Sequence, residues 1–242
     1  MKDLYWYLIF IPLSYIIGSI NFATIIASIK NKDIKKLGSG NPGTMNMLRS
    51  VGKFWGCLTF VLDCAKGIAF GLIGMFVFLN SNLAMYVLGI FTTLGHIFSC
   101  FSKFKGGKGV ATSLGVFAVI QPIAFAVAFV LMLLYLAFFK KGFIASLMAI
   151  TILTTTCIII NCIERQPLFY VNIIILVIWT ALIFWTHRSN FKRVKDNSEN
   201  SLTLFGKEDY EKNAEKVVSE SEEMETTNEI GTNADGNDCE NN

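Results

Sequence analysis

The sequence predicts an all-α, multi-pass membrane protein with about seven transmembrane segments, some of them short or re-entrant. Hydrophobic residues make up 53% of the 242-residue chain and charged residues only 16%, a balance too apolar for a soluble domain of this length. The apolar residues are gathered into long runs, and about 20 such residues span a hydrocarbon core of about 30 Å. The runs cover residues 4–29, 54–79, 83–101, 110–139, 143–163 and 168–186.

The first run, Leu4–Ile29, is predicted to be a single retained membrane helix. Its apolar stretch is about twice as long as the hydrophobic region of a secretory signal peptide. Its N-terminal flank carries one lysine and one aspartate, not the positive cluster of a signal peptide.

Basic residues are concentrated in some connections between the runs and nearly absent from others. Short loops that are rich in Lys and Arg remain on the cytoplasmic side of a membrane. The basic connections are residues 30–53, 102–109, 140–141 and 188–193, whereas residues 80–82 and 161–167 carry one basic residue between them.

The fourth run, Val110–Phe139, is predicted to fold back at Gln121–Pro122. A single crossing of this run would place the last two basic connections outside the cell, whereas a fold-back puts all of them in the cytoplasm. Proline breaks a helix, and glutamine suits a polar turn. The N-terminus is then outside and the C-terminus cytoplasmic. The arm over residues 110–120 is short, about 17 Å at 1.5 Å per residue, which favours an entry loop that dips into the membrane.

The chain divides by charge at residue 194. Residues 1–194 carry 17 Lys and Arg against 4 Asp and Glu, and we assign them to the membrane domain. Residues 195–242 carry 4 Lys against 14 Asp and Glu and no apolar periodicity, which is typical of a disordered acidic tail on the cytoplasmic side. The tail is interpreted as a solvated appendage, with an interaction segment as the alternative.

Six cysteines without CxxC spacing and only two histidines give no indication of a zinc site, so we expect no metal and no cofactor. The lipid bilayer is the expected macromolecular environment, and no nucleic-acid partner is expected.

The first polar stretch covers residues 38–49 and ends in an arginine. Its glycines allow backbone N–H groups to approach an anion closely, and Arg49 offers a bidentate fork for phosphate. A plain turn before a helix is the alternative. The candidate site residues in this stretch are Ser39, Gly40, Asn41, Gly43, Asn46 and Arg49.

The second stretch places glycines around Lys108 at the start of a predicted helix, a pattern that suits anion binding. It is not a nucleotide-binding P-loop, because Gly109 follows the lysine where that motif needs Ser or Thr. The alternative is a basic loop attracted to anionic lipids, which suits Lys103 and Lys105. His96, upstream, is interpreted as a packing or hydrogen-bonding residue. The candidate site residues are Gly106, Gly107, Lys108 and Gly109.

The third stretch follows the last apolar run. If that helix continues, His187, Asn190 and Arg193 share one face. Arg188 and Lys192 are adequately explained as cytoplasmic anchors.

Asp63 and Lys66 lie three residues apart inside the second apolar run. Charges at membrane depth are costly and are usually paired or functional. Mutual pairing in a structural role is the favoured interpretation.

Taken together, the stretches resemble the motifs of the bacterial acyl-phosphate-dependent glycerol-3-phosphate acyltransferases, from about Gly18 to Glu199. The family patterns GSGNxGATNxxR, GHxFPxFxxFxGGKGVAT and HRxNxxRLxxGxE correspond here to GSGNPGTMNMLR, GHIFSCFSKFKGGKGVAT and HRSNFKRVKDNSE. The first family pattern continues as GxxxGxxxxxxDxxKG, which is matched here by Gly52, Gly56, Asp63, Lys66 and Gly67. Three departures stand out: Met45 replaces a threonine, Ser99 a proline and Asn197 a glycine. A family serine after Lys140–Lys141 aligns with either Ala145 or Ser146.

The resemblance implies transfer of a fatty acyl group from an acyl phosphate to the 1-hydroxyl of glycerol 3-phosphate on the cytoplasmic face of the cell membrane, as an early step of phospholipid synthesis. It also implies functional coupling to an enzyme that forms acyl phosphates. The sequence suits this chemistry, because a mixed anhydride mainly needs orientation and charge neutralisation. The HxxxxD motif of thioester-dependent acyltransferases is absent.

Each candidate residue then has an expected role. The donor phosphate would be cradled by Ser39, Gly40, Asn41, Gly43, Gly106, Gly107 and Gly109, and glycerol 3-phosphate would be held by Arg49, Lys108, His187 and Asn190. Asn46, Arg193 and Glu199 are expected to contribute to substrate binding. His187 or an oxygen of the donor phosphate would accept the hydroxyl proton. An anion or phosphate-ester transporter and a structural scaffold are the competing classes.

Overall fold

The computed structural model describes residues 2–79, 81–165 and 168–196. This part of the chain is built from helices, without a strand. The helices are α1 (Lys2–Gly18), α2 (Phe22–Ile29), α3 (Thr44–Ser50), α4 (Lys53–Val77), α5 (Asn82–Ile97), α6 (Val110–Ile120), α7 (Pro122–Phe139), α8 (Gly142–Glu164), α9 (Phe169–Thr186) and α10 (Arg188–Lys195), with a 3-10 turn at Cys100–Ser102. The predicted tail lies outside the described residues from Asn197 onward.

The helices confirm the predicted fold class, an all-α membrane protein. Six helical stretches are long and apolar enough to cross a bilayer, and α6 is a shorter apolar helix beside them. Many large apolar side chains on these helices are exposed, which suits contact with lipid and not with water. The sidedness and the number of complete crossings remain predictions.

The first apolar run is not one helix, so that prediction was wrong. α1 ends at Gly18, and α2 begins at Phe22 with Asn21 as its N-cap, whose Oδ1 accepts a hydrogen bond of 2.9 Å from the Thr24 amide. Gly18, the last residue of α1, packs closely against α5, where a Cβ would lie 2.2 Å from the Thr92 carbonyl oxygen. An apolar count over 26 residues could not show this interruption.

The predicted break at Gln121 is present, and the chain folds back there. Gly67 of α4 lies against Thr112 of α6, and Gly71 lies against Val119, so α4 and α6 run parallel. The Phe129 ring of α7 then stacks on the Phe60 ring of α4, with centroids 5.9 Å apart, so α7 runs in the opposite direction. The starts of α4 and α6 and the end of α7 therefore lie at the same end of the bundle, where their basic connections meet.

The orientation can be tested with single cysteines at exposed loop positions. We expect Lys36→Cys to react with a membrane-impermeant maleimide only in inside-out vesicles, and Arg165→Cys only in intact cells, because the two positions lie in connections of opposite predicted sidedness. Both variants are made in a background in which Cys57, Cys100, Cys162 and Cys239 are serine. Labelling of both positions from the same side would contradict the predicted topology.

Candidate active site

A cavity of about 430 Å³ lies between α3, α4, α6, α7, α8 and α10. Its lining combines polar and basic residues with apolar ones. The polar and basic residues, called here the polar end, are Ser39, Asn41, Asn46, Arg49, Lys108, His187, Asn190 and Arg193, and the apolar residues, called here the apolar end, include Leu48, Phe60, Val61, Leu114, Phe129, Met132, Leu133, Leu136 and Phe143.

The first polar stretch forms a loop that Asn46 holds together. The Asn46 Nδ2 donates to the carbonyls of Ile34 (3.1 Å) and Leu37 (2.9 Å), and its Oδ1 accepts from the Ser39 amide (3.0 Å). The amide of Gly40 donates to Leu37 (2.9 Å). Asn46 is thus a loop-holding residue that is almost fully buried, although it also borders the cavity.

The expected anion nest in this loop is not supported by the hydrogen bonds. The Gly40 amide is engaged inside the loop, as is that of Gly43, which donates to the Asn41 carbonyl (2.9 Å). Gly40 adopts φ +68°, a backbone conformation that favours glycine. These glycines therefore shape the turn, and the loop faces the cavity with Ser39, Asn41 and Gly43 but not with Gly40.

The second stretch folds back onto the end of α5. The Gly106 amide donates to the Ile97 carbonyl (2.9 Å), and the Gly107 amide donates to the His96 carbonyl (3.1 Å). A Cβ on Gly107 would lie 2.1 Å from Nε2 of the His96 ring, so only glycine fits there. Neither Gly106 nor Gly107 reaches the cavity lining, whereas Lys108 and Gly109 do.

Lys108 is held by two hydrogen bonds, one at its side chain and one at its backbone. Its ammonium donates to Oδ1 of Asn190, and its carbonyl accepts a hydrogen bond of 3.2 Å from the Thr186 hydroxyl. Gly109 at φ +82° then starts α6, whose first residues, Val110 and Ala111, border the cavity. The positive end of this helix dipole adds to the basic character of the polar end.

The third stretch does not continue the last membrane helix. α9 ends at Thr186, and α10 begins at Arg188. The expected face is nevertheless formed, because His187, Asn190 and Arg193 all border the cavity. Arg188 lies outside it, with its guanidinium 4.0 Å from the centroid of the Trp185 ring.

The tautomer of His187 follows from its partner. Nδ1 lies 2.8 Å from the Ile183 carbonyl, which can only accept, so Nδ1 carries the proton and Nε2 is an acceptor in the neutral ring. Burial, together with the nearby Lys108 ammonium, lowers the pKa of His187 from 6.5 to about 4, against the opposing effect of the Ile183 hydrogen bond. The ring is therefore neutral at physiological pH.

Sequence reasoning did not place Asp63 and His96 in the site, yet both border the cavity. The predicted pairing of Asp63 with Lys66 is confirmed, with 2.9 Å between the Lys66 Nζ and the Asp63 Oδ1. The His96 ring joins this pair, as its hydrogen-bonding interpretation anticipated, with Nδ1 2.9 Å from the Lys66 Nζ. The motifs of the resembled family include Asp63, Lys66 and His96, and this was the signal that could have placed them near the site; they were interpreted only as a pair and as a packing residue.

Ala145 and Ser146 both border the cavity, so the alignment between them stays open. Ser146 uses its hydroxyl to donate to the Gly142 carbonyl (2.8 Å). Met45, one of the departures, fills the space over Gly142, where a Cβ would lie 1.8 Å from the Met45 Cε. Glu199 lies outside the described residues. Among the described residues, no group of three or more His, Cys, Asp or Glu could hold a metal ion.

The arrangement suits a ligand that is anionic at one end and apolar at the other. Among the described lining residues, Arg49, Lys108 and Arg193 are cationic, and the carboxylate of Asp63 is balanced by Lys66. Such a site neutralises phosphate charge and holds an alkyl chain beside it.

Comparisons with known proteins identify the family to which the chain belongs. The sequence profile of a family described as glycerol-3-phosphate acyltransferase matches residues 8–197. Glycerol-3-phosphate acyltransferase 2 of Bacillus anthracis is 37% identical over 78% of this chain and 96% of the relative, and the Aquifex aeolicus glycerol-3-phosphate acyltransferase is 35% identical over 79% and 97%.

Solved structures agree. The glycerol 3-phosphate form of PlsY (YgiH), an integral membrane glycerol 3-phosphate acyltransferase, aligns with a TM-score of 0.72 and 31% identity over 82% of this chain and 98% of that one. Its lysophosphatidic acid form aligns with a TM-score of 0.69 and 32% identity over 81% and 95%.

The lowered pKa of His187 predicts a specific loss of stability in acid. Protonation favours the unfolded state, where the pKa is ordinary, so the wild type loses stability relative to His187→Asn as the pH falls from about 7 towards about 4. The relative loss should reach roughly 2 kcal/mol near pH 5. Melting temperatures of both proteins in detergent across this range measure it. If the melting temperatures of the two proteins fall in parallel with pH, the pKa of His187 is not lowered in the folded protein.

Proposed function

The chain belongs to the glycerol-3-phosphate acyltransferase family, and from that premise we propose that it uses an acyl phosphate as donor and acylates the 1-hydroxyl of glycerol 3-phosphate. The products are lysophosphatidic acid and inorganic phosphate. One observation carries the proposal: three cationic side chains and the N-terminus of α6 border a cavity whose lining is otherwise largely apolar. Both substrates present a phosphate, and one of them also carries an alkyl chain.

The acceptor is proposed to bind between Arg49, Lys108, Asn190 and Arg193. Arg49 and Arg193 supply forked donors that match phosphate oxygens. The contact between the Lys108 ammonium and Asn190 ties two motifs that are 82 residues apart in sequence. A phosphate bound there replaces or joins this contact, and charge-assisted hydrogen bonds hold it.

The acyl chain is proposed to lie along the apolar end of the cavity, between α4 and α7. Phe60 and Phe129 stack there, and Met132, Leu133 and Leu136 continue the apolar lining along α7. This placement puts the acyl carbonyl at the junction with the polar end. The lysophosphatidic acid form of the solved relative supports a product of this class.

The reaction forms one carbon–oxygen bond and breaks another. The 1-hydroxyl oxygen attacks the acyl carbon, the bond from that carbon to the phosphate oxygen breaks, and phosphate leaves with the electron pair. Arg49, Lys108 and the α6 N-terminus stabilise the charge that develops on the leaving group. Ser39 and Asn41 are placed to orient the donor by neutral hydrogen bonds. No covalent enzyme intermediate is needed, because an acyl phosphate is already activated.

The proton acceptor is proposed to be an oxygen of the donor phosphate, with His187 as the orienting group. Burial and the nearby Lys108 ammonium lower the pKa of His187 to about 4, which makes its ring a weak base. The donor brings its own phosphate oxygens to the reacting hydroxyl. Nε2 of His187 accepts a hydrogen bond from the hydroxyl and aligns its oxygen with the acyl carbon.

The glycines are given a different role from the predicted one. Gly40, Gly43, Gly106 and Gly107 have their amides engaged within the protein, so we propose that they support the site by allowing tight turns and close packing. Gly109 borders the cavity and begins α6, so it keeps a direct place near the donor phosphate.

The site is proposed to face the cytoplasm of a bacterial cell, since the starts of α4 and α6 and the end of α7 carry the basic connections. Soluble glycerol 3-phosphate then reaches the polar end from water, and the acyl product remains in the leaflet. An enzyme that forms acyl phosphates would supply the donor, and the product would enter phospholipid synthesis.

Two lysines of the same loop provide a matched test. Lys108→Met should lower kcat/KM for glycerol 3-phosphate by about 100-fold or more, because a charge-assisted contact to phosphate is lost. Lys105→Met should stay within about twofold of the wild type, since Lys105 is exposed and does not border the cavity. Phosphate release from palmitoyl phosphate by purified protein in detergent measures both. Equal effects of the two substitutions on kcat/KM would show that Lys108 has no special role in binding glycerol 3-phosphate.

The donor class is tested with the same preparation. We expect phosphate release from palmitoyl phosphate that depends on glycerol 3-phosphate, and no acyl transfer from palmitoyl coenzyme A or palmitoyl acyl carrier protein. Mass spectrometry of the lipid product identifies lysophosphatidic acid. Transfer from a thioester, with none from the acyl phosphate, would overturn the donor assignment while leaving the acceptor in place.

A further inference from the structure

The break between α1 and α2 leaves backbone carbonyls at a depth where water cannot pair with them. Three of these carbonyls are satisfied by side chains from other helices or loops. The Lys66 Nζ lies 3.0 Å from the carbonyl oxygens of both Gly18 and Ile20, and the Ser99 hydroxyl donates to the Ser19 carbonyl at 2.5 Å. The break thus depends on donors supplied by α4 and by the segment after α5.

Lys66 is also the centre of a buried polar cluster. Its Nζ lies 2.9 Å from the Asp63 Oδ1 and 2.9 Å from the His96 Nδ1, and the three residues are exposed by 5%, 1% and 4% respectively. An ammonium has three hydrogens, and the hydrogen bonds to the His96 Nδ1 and to the two carbonyls use all of them, while the Asp63 carboxylate contributes as an ion pair. A cluster this connected has a single favoured geometry, because loss of one member leaves the others buried and unpaired.

The cluster contacts the loop that carries Lys108. Nε2 of His96 packs directly against Gly107, and the His96 carbonyl accepts the Gly107 amide at 3.1 Å. Lys108 is the next residue. A shift of the His96 ring therefore moves the backbone that sets where the Lys108 ammonium lies.

The same break also contacts the first polar loop. Asn21, which begins α2, donates from Nδ2 to the carbonyl of Pro42 at 3.3 Å. Pro42 lies in the loop that precedes α3, and α3 carries Arg49. Two of the three segments that supply cations to the cavity, α3 with Arg49 and the loop with Lys108, are thus anchored on one interruption of the first membrane stretch.

We propose that Lys66 is a positioning residue for the acceptor site: by holding the α1–α2 break and the His96 ring, it sets the position of the Lys108 loop. The proposal rests on glycerol 3-phosphate binding at the polar end of the cavity and does not depend on the identity of the acyl donor. A merely structural ion pair would affect the amount of folded protein but not the affinity for the acceptor.

The test replaces Lys66 by methionine, which keeps the apolar stem and removes the donors. Lys66→Met should raise KM for glycerol 3-phosphate about tenfold or more, with KM for the acyl phosphate within about twofold. Lys66→Arg, which restores a cation with several donors, should recover most of the acceptor affinity. An unchanged KM for glycerol 3-phosphate in folded Lys66→Met overturns the proposal.

A control separates positioning from general destabilisation. Asn172→Leu removes a buried hydrogen bond of 2.9 Å to Asn161 between α8 and α9, about 22 Å along α9 from His187. It should lower the melting temperature and leave KM for glycerol 3-phosphate within about twofold. A rise of the same size as in Lys66→Met would show that loss of stability alone changes KM.

Two further measurements keep the proposal testable. If Lys66→Met does not fold, Lys66→Gln, which keeps a polar end with fewer donors and no charge, takes its place: a rise in KM of about two- to fourfold supports the proposal, and an unchanged KM overturns it. Glycerol 3-phosphate should also raise the melting temperature of the wild type without any donor, and less so in the variants. This shift is independent of phosphate release, so a failure of the acyl-phosphate assignment is distinguishable from a failure of the positioning role.

Discussion

The requirement that every buried backbone carbonyl find a hydrogen-bond donor governs this structure, because a bilayer offers no water to interrupted helices. The chain interrupts its membrane helices at Gly18–Asn21, at Gln121 and at His187, and each interruption lies where a polar segment or a reversal of direction is needed. At the first, Lys66 and Ser99 supply the donors. An apolar membrane helix could not carry the Lys66 charge without polar partners, and the carbonyls of the break are such partners. The break between α1 and α2 and the charge inside α4 therefore stabilise each other, with Ser99 as a further donor to the break.

Charge is distributed so that the cavity remains a site for anions. The carboxylate of Asp63 borders the cavity, but Lys66 and His96 both lie within ion-pair distance of its Oδ1. Among the described lining residues the other charged side chains, Arg49, Lys108 and Arg193, are all cationic. Burial and, after it, the nearby Lys108 ammonium lower the pKa of His187, so its ring adds no positive charge to this environment at neutral pH.

Sequence reasoning identified the fold class, the break at Gln121 and most polar residues of the cavity, because hydropathy, proline and motif spacing are local signals. Contacts between residues that are far apart in sequence could not be predicted from such local signals. The carbonyls at the interruption of the first run are paired by Lys66 and Ser99, which are distant in sequence, and the place of Asp63 and His96 depends on how α4 and α5 pack. The apolar half of the cavity was equally hidden, since an apolar side chain that lines a cavity has the same composition as one that faces lipid.

The glycine-rich loops show why a motif and its mechanism must be argued separately. Their composition suggests a nest of backbone N–H groups around a phosphate, yet four of those amides donate to carbonyls of the protein. What glycine provides at Gly107 is space, since any side chain would collide with the His96 ring. Side chains, mainly those of Arg49 and Lys108, are therefore proposed to bind the anion. Because side chains on long stems adapt to a ligand while backbone amides do not, accuracy at this site has to come from what anchors the loops, and the donors at the α1–α2 break are the anchors that both loops share.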